Sequence, residues 1–225
     1  VANFDVQTNT LYLNQGEFYF EDVSAASGFG VPSFNYVCFG LVLSDFNRDG
    51  HLDFFVGTGH TTETPTRVNV VYEEPDVLVL GDGKGGFAEP ECPLPIDQPS
   101  VSRGVAFADY DNDGDVDLAI QRSGKPLSVL RNDTTAGSWL GVQLRSDSAN
   151  VDGVGASVVL RTSHGDQVRW VLAGDSYQSS SDRRLLFGFD AEAEILGLDI
   201  LWPSGRRQRI GRPPVELYFT VYEPL

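Results

Sequence analysis

The sequence predicts an all-β protein: a partial β-propeller of two to three blades, followed by a C-terminal β-sandwich or barrel. Three observations carry this expectation. Short segments of alternating apolar character recur along the whole chain, and helical periodicity is missing throughout. A strand–turn–strand unit repeats, so that "SDFNRDGHLDFFVG" from Ser44 returns 64 residues later as "ADYDNDGDVDLAI" from Ala108. After Gly137 the repeat stops, and six strand-like segments separated by turn residues take over.

The repeat is longer than its acidic centre. "NTLYLNQGEFYFED" at Asn9 matches "DVLVLGDGKGGFAE" at Asp76 in outline: an alternating strand, a glycine turn and a second strand entered through phenylalanine. A Gly/Pro/Ser-rich connection follows each, then a strand ("VCFGLVLSD", "SRGVAFADY"), the acidic loop, and another strand ("LDFFVG", "VDLAI"). A third copy starts at "PLSVLRND" near Leu127 and breaks off. The first unit carries an insertion, "GHTTETPTRVNVVYEEP", whose alternating "RVNVVY" is expected to add a strand or hairpin. The C-terminal strands are read in "SWLGVQLRS", "GASVVLRTS", "DQVRWVLAG", "RRLLFGFD", "ILGLDILWPSG" and "PVELYFTVYE", with Trp139, Trp170 and Trp202 filling the core or edges. The expected division is therefore residues 1–137 for the repeats and 138–225 for the second domain.

Charge supports that division and excludes some partners. The formal net charge is −16, which argues against nucleic acid. Residues 1–137 hold 7 Lys/Arg and 21 Asp/Glu, whereas 138–225 hold 9 and 11. No apolar run approaches the roughly 20 residues that cross a bilayer as a helix. No signal peptide is visible and methionine is absent, so the chain is read as processed or as a piece of something longer. Cys38 and Cys92 are either one disulfide or two unpaired buried thiols.

The acidic loops explain themselves as cation sites. Counting from Asp45, side-chain oxygens fall at positions 1, 3, 5 and 9 (Asp45, Asn47, Asp49, Asp53), with Gly50 at position 6. The second loop repeats this with Asp109, Asp111, Asp113, Asp117 and Gly114. Ca²⁺ takes 6–8 oxygens, and alternate residues of a sharply turned chain can wrap around it. Position 7 offers a backbone carbonyl, from His51 and Asp115. Two Ca²⁺ sites are expected. An EF-hand is ruled out because position 12, which should be a bidentate Glu, is Val56 or Ile120.

Residues 1–131 resemble FG-GAP/VCBS repeats, the calcium-loop blades of integrin-type β-propellers. The stretch from about Ser138 to Gln208 resembles the ASPIC/UnbV domain, through "SANVDGVGASVVL", "GDSYQSSSDRRLLFGF" and "ILWPSGRRQ". It departs from that pattern at Ser180–Ser181, where Ser-Gln is common, and at Leu186, where His is common. The resemblance implies a secreted, periplasmic or otherwise extracellular location, calcium-stabilised blades, and a role in cell adhesion or protein–protein contact. No catalytic residues can be carried over from it.

Nothing in the residues demands an enzyme. His51 lies in a loop, His60 and His164 read as solvated turn residues, and no nucleophile elbow, phosphate loop or zinc spacing is present. The basic cluster "SGRRQRIGR", with Arg206, Arg207, Arg209 and Arg212, is either a solvated hairpin or a dock for an acidic partner. The expected function is a non-enzymatic, calcium-binding extracytoplasmic interaction or adhesion module, working with protein partners or with further blades of a longer chain. It could serve as a structural subunit of a larger, membrane-associated assembly. The alternative is an accessory protein or enzyme of natural-product metabolism, with a C-terminal pocket lined by Asp175, Tyr177 and Asp182.

Overall fold

The computed structural model describes residues 1–63, 71–90 and 98–225. Among them the chain is all-β, with a single 3₁₀ turn at Val31–Ser33. Cys92 and residues 64–70 of the insertion lie outside the described residues, and with them the disulfide and most of the expected added strand. Cys38 is a buried thiol, in hydrogen-bond contact with the Asn9 amide at 3.3 Å, and burial pushes its pKa up to about 11.

Two antiparallel meanders carry the repeat. The first orders β3 (Cys38–Ser44), β4 (Asp53–Thr58), β5 (Val77–Gly81) and β6 (Phe87–Ala88) side by side. The second orders β7 (Ser102–Ala108), β8 (Asp117–Arg122) and β9 (Ser128–Leu130). The 64-residue offset survives in the registers. Leu41 faces Val56 as Val105 faces Ile120, and each first strand has its irregularity at the same place, between Cys38 and Leu41 or Ser102 and Val105. The hairpin equivalent to β5–β6 is β1–β2 (Tyr12–Gly16 and Tyr19–Asp22), and it stands alone. Among the described residues no inner pair of strands lies beside it, and Tyr12, Leu13, Tyr19 and Phe20 are exposed. Among the described residues the sheets close into neither a ring nor a barrel.

Strand alternation decides the packing. Phe55 points into a cluster with Val42, Phe46, Val105, Val116, Leu118 and Ile120, which joins the two meanders. Phe54 and Val56 point the other way, into a cluster with Phe29, Cys38, Val77 and Val79 under the N-terminal segment. Covered on both faces, β4 is buried along its whole length. Each fully buried Phe contributes about 1.5–3 kcal/mol relative to exposure.

The C-terminal part is a sandwich rather than a barrel. One sheet orders β13 (Leu185–Phe189), β10 (Ser138–Arg145) and β16 (Tyr218–Tyr222), with β10 and β16 parallel. The other orders β12 (Gly165–Trp170), β11 (Ser157–Thr162), β14 (Ile195–Leu201) and β15 (Arg207–Ile210). Alternate residues of both sheets, among them Leu140, Val142, Val158, Leu160, Phe187, Leu198 and Ile200, meet in one buried core with Trp202. The six expected strands are all present, and β15 is a seventh, made by the arginine cluster. It is an edge strand on which exposed Arg207 and Arg209 alternate with half-buried Gln208 and Ile210. Such charges discourage edge-to-edge pairing. Gln208 accepts the Trp202 indole N–H at 2.9 Å, and Arg209 reaches Asp199 of its own sheet at 3.7 Å.

Candidate metal centre

Both acidic loops connect the first and second strands of a meander, and their backbones follow one design. Position 4 is left-handed in each (Arg48 at φ +59°, Asn112 at +63°), and position 6 is a glycine at φ +90°. Only glycine takes that conformation without strain, and it lets the chain fold back over the first aspartate. The amide of position 5 donates to one oxygen of that aspartate, at 3.2 Å onto Asp45 and 3.1 Å onto Asp109. The glycine amide donates to the other oxygen at 2.9 Å in both loops. The aspartate at position 9 braces the loop from the far side. Asp53 accepts from the Phe46 and Gly81 amides, and Asp117 from those of Tyr110 and Asn132. The first carboxylate of each loop is thus pinned by the loop's own N–H groups, and the last by one loop amide and one amide from outside it.

The loops differ in what they gather. Among the described residues, oxygens of Asp109, Asp111 and Asp117 lie within 4.8 Å of one another, close enough to share one ion. The first loop does not assemble three carboxylates in this way. Its third position is neutral Asn47, whose Nδ2 donates to Asp49 at 3.0 Å, while Asp49 also takes the His51 amide at 2.8 Å. A second cation already stands near it: Arg169 on β12 faces Asp45 and Asp53 and partly offsets their charge. The His51 side chain is exposed, and Asp113 accepts the Asp115 amide at 3.3 Å. Asp115 is buried and pairs its carboxylate with Arg48 at 3.2 Å, tying the second loop to the first.

Burial raises several of these acids. Asp45 is pushed up to about 6 and Asp53 to about 7, in both cases chiefly by desolvation. Asp115 is also pushed up to about 7, by burial and by neighbouring Asp113, and Asp117 is raised by burial. Carboxylates crowded together out of water want a positive charge among them. An all-oxygen donor set of this kind suits a hard cation rather than a soft one. Exposed Arg131 now sits over the second loop, 3.2 Å from Asp111 and 3.6 Å from Asp113, beyond the two pinned carboxylates.

Side chains far away in sequence complete the surroundings. Tyr218 on β16 donates its hydroxyl to Asp109 Oδ2 at 2.9 Å, and Arg184 donates to the Asp109 carbonyl at 2.6 Å. Trp139 on β10 lies against Gly114, where an added Cβ would come within 2.1 Å of the indole. No local motif marks these three residues, because each sits in an ordinary alternating strand or beside one.

Other candidates fall elsewhere. His60 is buried rather than solvated, edge-on to Phe4, with its ring accepting the Thr62 amide at 3.2 Å. His164 is exposed in a turn. Asp175 and Asp182 line one cavity with Leu41, Phe107 and Trp170, but Tyr177 lies outside it. Asp175 accepts the Ser181 amide, Asp182 pairs with Arg184, and Tyr177 packs edge-on against Phe39 of β3. The two departures from the ASPIC/UnbV pattern also face the repeats. Leu186 packs on the apolar cluster between the meanders, and Ser181 accepts the Phe107 amide at 3.2 Å.

Residues 146–224 match the family model described as "ASPIC and UnbV". Over most of its length the chain is similar to proteins named "Cartilage acidic protein 1". The mouse protein is 25% identical across 88% of this chain, and the human protein 28% identical across 87%. The protein of Xenopus tropicalis is 25% identical across 88%. The matches cover 38%, 29% and 38% of those relatives, so the chain spans about a third of the length of the curated relatives it matches. No helix among the described residues is long and apolar enough to cross a membrane.

Proposed function

We propose that this chain is a calcium-binding, extracytoplasmic protein–protein interaction or adhesion module, in which FG-GAP/VCBS-type blades dock on an ASPIC/UnbV-type sandwich. The observation that carries the reading is the convergence of Asp109, Asp111 and Asp117 within 4.8 Å, in a loop built like its partner 64 residues earlier. The meander β3–β6 has the four antiparallel strands of a propeller blade, and β7–β9 has three. The relatives' name speaks of an acidic protein of cartilage, a tissue built around extracellular matrix, and this chain is itself strongly acidic at −16. Asp109, Asp111, Asp113 and Asp117 would hold Ca²⁺ in the second loop, and Asp45, Asn47, Asp49 and Asp53 would do so in the first. The ion supplies charge neutralisation and loop order, not chemistry on a substrate. The lone hairpin β1–β2, with Phe18 wholly exposed, is the surface that a partner protein or further blades would cover.

A ligand that binds only the folded form stabilises it by about 2.7 kcal/mol at a hundredfold excess over its Kd. For a chain of this size that corresponds to a rise in melting temperature of about 5–10 °C. Thermal unfolding in EDTA and in millimolar Ca²⁺ measures it, and identical midpoints would refute the calcium reading. Sedimentation separates the interaction readings. A self-sufficient, cooperatively melting monomer would show that the exposed hairpin needs no cover.

A further inference from the structure

The second loop is nine residues long, but the sandwich side chains that hydrogen-bond to it come from 72 to 109 residues away, and Trp139 packs on its glycine from the start of the sandwich. They arrive from all three strands of one sandwich sheet. Tyr218 stands on β16, Trp139 on β10, and Arg184 immediately before β13. The three also hold one another. The Arg184 guanidinium lies 4.1 Å over the Tyr218 ring, whose centroid is 5.3 Å from that of Trp139. Arg184 then reaches the loop twice, at the Asp109 carbonyl and at the side chain of Asn112.

The critical contact is on the first carboxylate. Asp109 Oδ2 accepts both the Gly114 amide and the Tyr218 hydroxyl, each at 2.9 Å, while Oδ1 takes the Asp113 amide at 3.1 Å. Two donors on Oδ2 fix the plane of the carboxylate before any ion arrives. Asp45, the equivalent residue of the first loop, receives only the two loop amides among the described residues. There the sandwich approaches with the backbone of Gly188 rather than with a hydroxyl.

We propose that Tyr218 is a positioning residue for the second-loop cation, so that ion binding there and docking of the sandwich on the repeats form one linked equilibrium. This rests on the calcium reading and goes beyond it, because it makes the sandwich part of the cation site. Linkage is reciprocal: whatever factor the docked sandwich adds to cation affinity, the cation adds to docking. A hydrogen bond to a charged carboxylate sets the scale at about tenfold in affinity.

The test is a Tb³⁺ titration, with Ca²⁺ competition, read by emission sensitised through Trp139 in a Trp170→Phe background. Tyr218→Phe keeps the ring against Trp139 and Arg184 and removes only the donor. About tenfold weaker binding is expected in it, with unchanged affinity in Tyr222→Phe, an exposed tyrosine on the same strand. Amide exchange along β16 should slow with Ca²⁺ in the parent and much less in Tyr218→Phe. Arg184→Lys offers a second route to the same loss. Equal or tighter binding in Tyr218→Phe would overturn the inference and leave the calcium reading standing. Absence of Ca²⁺-displaceable emission in the parent would overturn both.

Discussion

The two loop glycines allow a direct test of how the sandwich meets the repeats. Gly50 and Gly114 share φ +90°, but a Cβ would meet different neighbours at each. At Gly114 it would fall 2.1 Å from the Trp139 indole, a 4%-exposed ring backed by Tyr218 that has nowhere to move. At Gly50 it would fall 2.6 Å from the end of Gln167, a flexible chain that can swing away by giving up its 2.7 Å bond to the Gly188 carbonyl. Gly124, at φ +69° with nothing within 4 Å, is the reference. Alanine in the left-handed region costs about 1–2 kcal/mol. Loss of chain entropy in the unfolded state returns about 0.4–1 kcal/mol of that. Gly124→Ala should therefore lose between nothing and about 1.6 kcal/mol. Gly50→Ala adds the loss of the Gln167–Gly188 hydrogen bond, about 1 kcal/mol. Gly114→Ala adds overpacking of about 1–3 kcal/mol, and displaced Trp139 disturbs the Tyr218–Asp109 bond as well. The expected order is Gly114 well above Gly50, with Gly124 last, in urea unfolding followed by tryptophan fluorescence in EDTA. A Gly114→Ala midpoint indistinguishable from that of Gly124→Ala would refute the docked arrangement.

Two further outcomes follow from the acids. The second loop, with four ligand carboxylates against three in the first, should bind Ca²⁺ more tightly; in calcium titrations Asp113→Ala should therefore remove the stronger site and Asp49→Ala the weaker, and the reverse order would sink the charge argument. Glu74, 1% exposed and accepting the Val37 amide at 2.9 Å, is pushed up from 4.5 to about 7 by burial. Because the folded form holds its proton more tightly than the unfolded one, its share of stability is fully present below pH 4.5 and lost as pH rises towards 7, on the order of 2–3 kcal/mol. Glu74→Gln should flatten that part of the profile between pH 5 and 8, and an unchanged slope in urea midpoints would show that the buried carboxyl is not its source.

The strands were legible because both faces of the code are local. Alternation marks half-buried strands such as "VLVLG", and the glycine turns mark where they end. The acidic loops were equally legible, since every proposed ligand in each lies within nine residues and Gly50 and Gly114 show where the chain must bend. What could not be read were the long-range partners. Tyr218 obeys the same alternation as any other strand residue, and nothing near it announces Asp109. Nor could sequence show that Arg169 faces the first loop, an arrangement set by β12 meeting that loop through Gln167 at Gly50. His60 was misread for a similar reason: its Gly and Thr neighbours look like a solvated turn, but Phe4 from the other end of the segment covers the ring.

The open edges of the meanders can be covered by another chain or by the sandwich. At the loop end the sandwich does the covering. Phe107 exchanges hydrogen bonds with Ser181 and Asp182, Leu186 enters the apolar cluster between the meanders, and both acidic loops lie under its strands. That contact also places arginines against the more acidic part of the chain, Arg184 on the second loop and Arg169 facing the first. Guanidinium groups are weakly hydrated and suit such half-buried positions. They offset part of the carboxylate repulsion in both loops, while Asp109, Asp111 and Asp117 keep three oxygens together. Among the described residues no such cover is present over β1–β2. A strand edge and apolar side chains exposed together on one hairpin are the features that recruit a partner. The same chain therefore offsets part of its loop charge internally and leaves one apolar hairpin exposed, the surface that the proposed interaction module would present to a partner.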